Sequence, residues 1–326
     1  MFDFLLLLQK HNIDNYLFTI LISIILGIIF IPPINRIFIA ASSFDIQNER
    51  KTHHRVIPIS GGLGIMLSSL ISFLIFGSRT INEELASIMG LAFLLGLLGL
   101  YNDLLFKSPV KRLLFLTLII LYIVFVLNIR IVNLNGFLGV YELSYILSVI
   151  MSIILYILII NLFELIDSLD GLFGGFSLLI CLLFGIRFAY INLDVYSILN
   201  FIVAGSLASF LFFNVFSKKN KTFSGSGGTA FVGLIIAISL FKLLNNNSSS
   251  NFSVLGVLMY PFFDTGRVII NRLHKKENIF ESNRTHFHNI LLSLNLSHIQ
   301  TTVVCLIIGI AFYLAVILIP IADYII

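Results

Sequence analysis

Residues 161–172 read NLFELIDSLDGL, at the end of the apolar run 144–160. Glu164, Asp167 and Asp170 arrive at a spacing of three. On a helix such residues are neighbours along a slowly drifting stripe, and a final turn of i+3 geometry would stack them closer. Gly171 then allows a turn or the close approach of a ligand. An acid near the bilayer centre costs about 2.5–3.5 kcal/mol on insertion scales. Three in one turn also repel, so such a cluster persists at a membrane surface, around a cation, or by keeping a proton. The bland alternative is a wet, acidic helix end.

Working outward, the 326 residues are 58% hydrophobic and 11% charged, with a net charge of +4. Soluble domains are roughly 45–50% apolar and 25% charged, so this is a polytopic membrane protein. Cys181 and Cys305 lie in apolar runs and suggest neither a disulfide framework nor metal-site spacing. No cleavable signal is expected, because the apolar run 4–8 is short and followed by polar HNIDN. Nothing suggests nucleic-acid binding.

About 20 apolar residues span a bilayer. Ten such runs are expected: 16–40, 59–76, 85–105, 113–127, 144–165, 172–191, 197–216, 229–244, 252–273 and 301–319. Pro32 and Pro33 fall inside the first. The segment 128–143 alternates around Asn135-Gly136 and reads as a short hairpin, and the Asn/Ser-rich 245–251 reads as a flexible connector.

Cations sort the loops into two sets. One holds Arg50, Lys51 and Arg55, then Lys107, Lys111 and Arg112, then Lys218, Lys219 and Lys221, then Arg272, Lys275, Lys276 and Arg284. The other has Lys10, Arg79, Arg130, Arg187 and Lys242, mostly singly. The excess of Lys and Arg marks the first set as cytoplasmic. The expected fold is therefore an all-α integral membrane protein of about ten transmembrane helices in one polytopic domain. It has a small extracytoplasmic hairpin and both termini outside, and it builds a site from five cytoplasmic loops.

Those loops carry a consistent chemistry. Lys51, His53, His54 and Arg55 precede Gly61-Gly62, which suits an anion at a helix start, or is ordinary positive flanking. Asp103 lies beside Lys107, Lys111 and Arg112, which fits a metal or phosphate site, or a solvated helix end. Gly225, Gly227 and Gly228 precede an apolar span and could form an anion-binding nest, or allow close helix packing. Arg284, His286 and His288 suit hydrogen bonding to phosphate or sugar hydroxyls. On a regular helix the two His, at i and i+2, would not share a face. Carboxylates, cations, Gly-rich turns and His at one membrane face are what phosphoryl transfer asks for, with Mg2+ on one or two carboxylates.

In order along the chain, NERKTHHRVIPISGG, YNDLLFKSPVKRL, NLFELIDSLDGL, FSGSGGTAFVG and PFFDTGRVIINRLHKKENIFESNRTHFHNILL resemble five motifs of one family. It is the polyprenyl-phosphate N-acetylhexosamine-1-phosphate transferases, relatives of phospho-MurNAc-pentapeptide translocase. The resemblance runs from Asp45 to Gln300, and the last loop favours the hexosamine-1-phosphate branch. It implies a bacterial cytoplasmic-membrane enzyme with its active face in the cytoplasm. It also implies a UDP-sugar donor, a polyprenyl (undecaprenyl) phosphate acceptor, and Mg2+, with Mn2+ as the alternative. Products would be polyprenyl-diphospho-sugar and UMP. A homodimer stays open.

By the same resemblance Asp103, Asp167 and Asp170 are catalytic, with Asp103 and Asp167 at the metal; Glu164, one helical turn before Asp167, is expected as a further metal ligand because Ser226 leaves the loop without a carboxylate. Lys51, His53, Asn102, Lys111, Asn161, Gly171, Gly225, Gly227, Gly228, Arg284, His286 and His288 bind substrate. The chain departs from the motifs at Asn102, Ser226 and Asn283, where the family has Asp. It departs again at Glu164 for Asn, Ser168 for Gly and Asn289 for His. Competing readings are a catalytically silent relative that binds polyprenyl phosphate or a partner, and an ion-coupled transporter.

Overall fold

A computed structural model describes residues 13–41, 57–77, 82–106, 109–134, 139–246, 255–275 and 286–318. They are almost wholly helical: α1 Ile13–Ala40, α2 Gly61–Gly77, α3 Glu83–Tyr101, α4 Pro109–Phe125, α5 Tyr145–Ile166, α6 Leu172–Tyr190, α7 Asp194–Leu211, α8 Gly225–Leu244, α9 Leu255–Lys275, α10 Phe287–Ser293 and α11 His298–Leu318. Each of the ten apolar runs overlaps one of these helices. Among the described residues, seven helices are long and apolar enough to cross a membrane, which makes this a multi-pass membrane protein.

The helix ends follow from local chemistry. Asn82 accepts the Leu85 N–H at 2.9 Å and caps α3, whose first turn carries Glu83 and Glu84. At its other end α3 runs into a π-helical segment, Asn102–Phe106, and α7 ends in a second one, Phe212–Phe216. Such segments displace side chains from the α-helical rotation and recur at functional sites.

Burial shows which helix is central. Every residue of α8 except Gly225 and Lys242 is buried, in keeping with a helix apolar all round. α8 packs against α3, α5 and α2, while α7 packs on α6 and α1, and α9 on α11. The outer helices expose large apolar side chains, such as Leu17, Phe18, Leu21 and Ile25 of α1 and Leu114 and Leu118 of α4. A surface of that extent would aggregate in water and matches a hydrocarbon surround.

Run 252–273 differs most from its expectation. α9 carries Pro261 and ends in Arg272, His274 and Lys275, and Asp264, halfway along it, already accepts the N–H of Phe287, the first residue of α10. Its apolar residues are therefore concentrated in its first half.

At one end of the bundle the Tyr16 hydroxyl donates to Asp194 at 2.8 Å, and the Tyr196 hydroxyl to Glu84 at 2.8 Å, which Lys242 also pairs. The base of the expected hairpin lies at this end as an antiparallel bridge between Asn133 and Glu142, while its Asn135-Gly136 tip falls outside the described residues. Asn245, expected in a mere connector, pins this base instead. Its side chain accepts the Val132 N–H at 2.8 Å and donates to the Arg130 carbonyl at 2.7 Å.

Candidate active site

The site lies at the opposite end and is built around the turn between α5 and α6. The helix stops at Ile166, with Asp167 as its C-cap, and α6 begins at Leu172 after Gly171 at φ +83°. The expected single stripe of three acids therefore does not form. Glu164 is on the helix, Asp167 at its end and Asp170 in the turn beyond. At that φ an L side chain is strained, which accounts for Gly171 as a turn residue. Its N–H donates to Asn214 Oδ1 at 2.7 Å, and the Asn214 amide donates in turn to the Thr222 carbonyl at 2.9 Å. Thr302 on α11 donates to the Asp170 carbonyl at 2.9 Å. The turn is thus fastened to α7, to the segment before α8, and to α11.

The acids fan out to separate partners. Asp167 accepts from the Ser224 hydroxyl. Asp103, carried on the π segment after α3, accepts the Ser226 N–H at 2.7 Å and is also reached by the Ser226 hydroxyl. Glu164 forms an ion pair with Arg112. Asp170 is 2.6 Å from Lys221 Nζ and 3.5 Å from His298 Nδ1. Burial alone would push the Asp170 carboxyl up, but His298 and Lys221 outweigh it and hold it below the usual carboxylate range. Asp103 and Asp167 consequently hang from one turn, two residues apart. Glu164 and Asp167, expected to converge on one cation, are engaged separately, and among the described residues no three His, Cys, Asp or Glu side chains gather as a metal site.

The glycines of this turn allow close helix packing. A Cβ on Gly227 would lie 2.6 Å from the Gly96 carbonyl oxygen, and one on Gly228 2.6 Å from Gly62 Cα. The Gly61 and Gly62 N–H groups donate to the Phe223 and Ser224 carbonyls at 2.9 and 3.1 Å, so neither is left for an anion. The N–H of Ser226 serves the Asp103 carboxylate.

The His pair is brought in by α9 and α10. His286 precedes α10 in extended conformation (φ −62°, ψ 152°) and His288 lies inside it, so the two rings stack at 5.4 Å. The expectation that they face apart assumed a regular helix. His286 Nδ1 lies 3.0 Å from one Asp264 oxygen, and the other oxygen accepts from the Phe287 N–H and from Arg267. His288 Nε2 is 2.8 Å from Ser168 Oγ and 3.1 Å from the Asn289 amide nitrogen. Lys51, His53 and Arg284 lie outside the described residues. Asn161 donates to the Ile157 carbonyl of its own helix at 2.7 Å.

A pH dependence follows. Burial, with His286 beside it, pushes the His288 pKa down from 6.5 to about 4. Between those values the docked loop binds fewer protons than the undocked one. Docking is fully present above pH 6.5 and weakens as the pH falls toward 4. Activity should hold through the neutral range and decline over that window, and a His288→Asn pH–rate profile should lose this limb. An acid limb identical to the parent's excludes the assignment.

Beside the carboxylates, a cleft of about 410 Å³ opens between α3, α4, α5 and α8. Leu95, Leu98 and Phe115 are among its apolar walls, and Asn102, Lys111 and Arg112 make its polar portion. Sequence reasoning missed Asp264, Asn214 and Ser224. For Asp264 there was a signal, a lone acid in an apolar run. For Asn214 and Ser224 there was none.

Comparison with known proteins finds relatives along most of the chain. A family model described as glycosyl transferase family 4 matches residues 85–243. The probable undecaprenyl-phosphate N-acetylglucosaminyl 1-phosphate transferase of Bacillus subtilis (strain 168) is 28% identical over 93% of this chain and 84% of its own. The undecaprenyl-phosphate alpha-N-acetylglucosaminyl 1-phosphate transferase of Yersinia pestis is 23% identical over 76% and 69%. The phospho-N-acetylmuramoyl-pentapeptide-transferase of Oceanobacillus iheyensis is 29% identical over 86% and 90%. The matched range runs from α3 through α8 and takes in Asp103, Asp167 and the turn that holds both, with relatives aligned along most of the chain; over that range this protein is similar to glycosyl transferase family 4.

Proposed function

We propose that the protein transfers N-acetylglucosamine 1-phosphate from a UDP-sugar to undecaprenyl phosphate, releasing UMP. The observation that carries this reading is the meeting of Asp103 and Asp167 at the Ser224–Ser226 turn, beside an apolar cleft with Lys111 and Arg112 in its polar portion. The cleft suits a polyprenyl chain with its phosphate toward the cations. An acceptor phosphate oxygen would attack the sugar-bearing phosphorus as the bond to the UMP phosphate breaks. The acceptor is a phosphate monoester whose second pKa is near 6, so at neutral pH it arrives largely deprotonated.

Asp103 and Asp167 are the carboxylates that would hold Mg2+, which takes one or two carboxylates with water and substrate phosphates. When bound, the ion supplies charge neutralisation on the transferring phosphates. Glu164 has another partner in Arg112. Asp170 fixes Lys221 and His298 at the rim, and His286 and His288, braced by Asp264, face the same turn. Purified protein given UDP-GlcNAc, undecaprenyl phosphate and Mg2+ should release UMP. Folded protein that releases none would refute the proposal.

We further place the site end in the cytoplasm of a bacterial inner membrane, with the N-terminal end of α1 and the C-terminal end of α11 outside. Cys181 and Cys305 are buried, so single reporter cysteines can be read cleanly. A cysteine at the exposed Lys219 should be labelled from the cytoplasm, and one at the exposed Asn192 from outside. Labelling of both from one side would overturn this topology.

A further inference from the structure

The ion pair between Arg112 and Glu164 is in the wrong place for simple structural bracing. Arg112 helps to line the cleft, and its side chain is 17% exposed. Its Nη1 donates to Glu164, while its Nη2 is buried with no hydrogen-bond partner among the described residues. A guanidinium presents five donors in a planar fork that matches a carboxylate or a phosphate. One side of the fork is therefore filled and the other is left unsatisfied, a costly arrangement in a poorly solvated setting.

Glu164 is the more exposed partner, at 35%, so its carboxylate can swing toward water when released. A phosphate monoester carries about −1.5 to −2 charge and three acceptor oxygens. It can outcompete one carboxylate and satisfy both nitrogens at once. Arg112 and Glu164 also lie within Coulombic reach of Asp103, so the exchange takes place beside the carboxylates assigned to the reaction.

We infer that Glu164 sets the affinity for the acceptor lipid by occupying Arg112 until the phosphate of that lipid displaces it. This rests on the reading of the cleft as the acceptor site. Glu164 acts through Arg112 and is a specificity-determining residue rather than a catalytic one. The apolar cleft walls select a phosphate carried on a hydrocarbon chain over the diphosphate of the UDP-sugar.

The test is steady-state kinetics and equilibrium binding with undecaprenyl phosphate and UDP-GlcNAc on the parent, Glu164→Gln and Glu164→Asp. Glu164→Gln keeps shape and removes the charge. Its KM and Kd for undecaprenyl phosphate should fall about two- to tenfold, the range of a partly exposed ion pair, with KM for UDP-GlcNAc unchanged. Glu164→Asp keeps the charge on a shorter arm and should lie between the two. An acceptor KM and Kd that are unchanged or raised in Glu164→Gln would overturn the inference, as would tightening for UDP-GlcNAc instead. A parent that binds no undecaprenyl phosphate defeats the functional reading itself and is distinguishable from both.

Discussion

Replacing Asp167 by Asn lowers UMP release by about a hundred- to a thousandfold and leaves the fold intact. The substitution is isosteric. An Asn oxygen can still accept from the Ser224 hydroxyl that now binds Asp167, so the cap of α5 and the turn after it keep their shape. What is lost is one full negative charge at the point where, on the proposed reading, a cation and the transferring phosphates are held. Asp103→Asn has the same logic, because its carbonyl oxygen can retain the Ser226 N–H at 2.7 Å. If both act on one ion, the double variant should be little worse than either single one, since residues that work as a unit are not additive. The measurement is UMP release alongside thermal stability of the same preparations. Near-parental turnover in folded Asp167→Asn would remove this residue from the reaction.

The second large effect comes from a residue with no chemistry. A Cβ at Gly62 would lie 2.2 Å from the Ser224 carbonyl oxygen, 2.5 Å from Gly228 N and 2.7 Å from Gly228 Cα. All three are backbone atoms, so no flexible side chain can yield. Gly62→Ala must push α2 off the start of α8, stretching the Gly61 and Gly62 hydrogen bonds to Phe223 and Ser224. Overpacking of this kind costs about 1–3 kcal/mol, at times more. The same displacement moves Ser224 and Ser226, so activity should fall further than stability alone explains. Gly90 on α3 is the control. A Cβ there meets nothing within 4 Å, so Gly90→Ala should leave stability equal or slightly raised. Thermal unfolding followed by size-exclusion in detergent would show the contrast, and a Gly62→Ala protein as stable as Gly90→Ala would contradict it.

Much of this architecture is legible in composition and periodicity. Apolar length places a helix in each expected run, because a bilayer imposes a length on any helix that crosses it. Loop charge likewise gathers Asp103, Asp167, Asp170 and the His pair at one end. Pairing was not legible. That Glu164 meets Arg112 depends on how α5 lies against α4, which no local pattern encodes. The glycines at 227 and 228 could equally have been a nest or a packing surface, and that they pack closely is shown only by the approach of Gly96 and Gly62. His286 and His288 share a face because the helix starts between them, a boundary finer than sequence patterns resolve.

The turn at Ser224–Ser226 bears on how the protein responds to its surroundings. Asp103 comes from α3 and Asp167 from α5, yet both are tied to a short piece of backbone at the head of α8. Membranes differ in thickness, and helices accommodate the difference by tilting. Tilting of α3 or α5 would reach the two carboxylates through this common anchor, which sits on the most enclosed helix of the bundle. That anchor should hold their separation steady as lipid composition changes, while the cleft, walled in part by α4 with its exposed apolar face, has no such anchor. Changes in acyl-chain length should accordingly be felt in capture of the lipid substrate before they are felt in turnover.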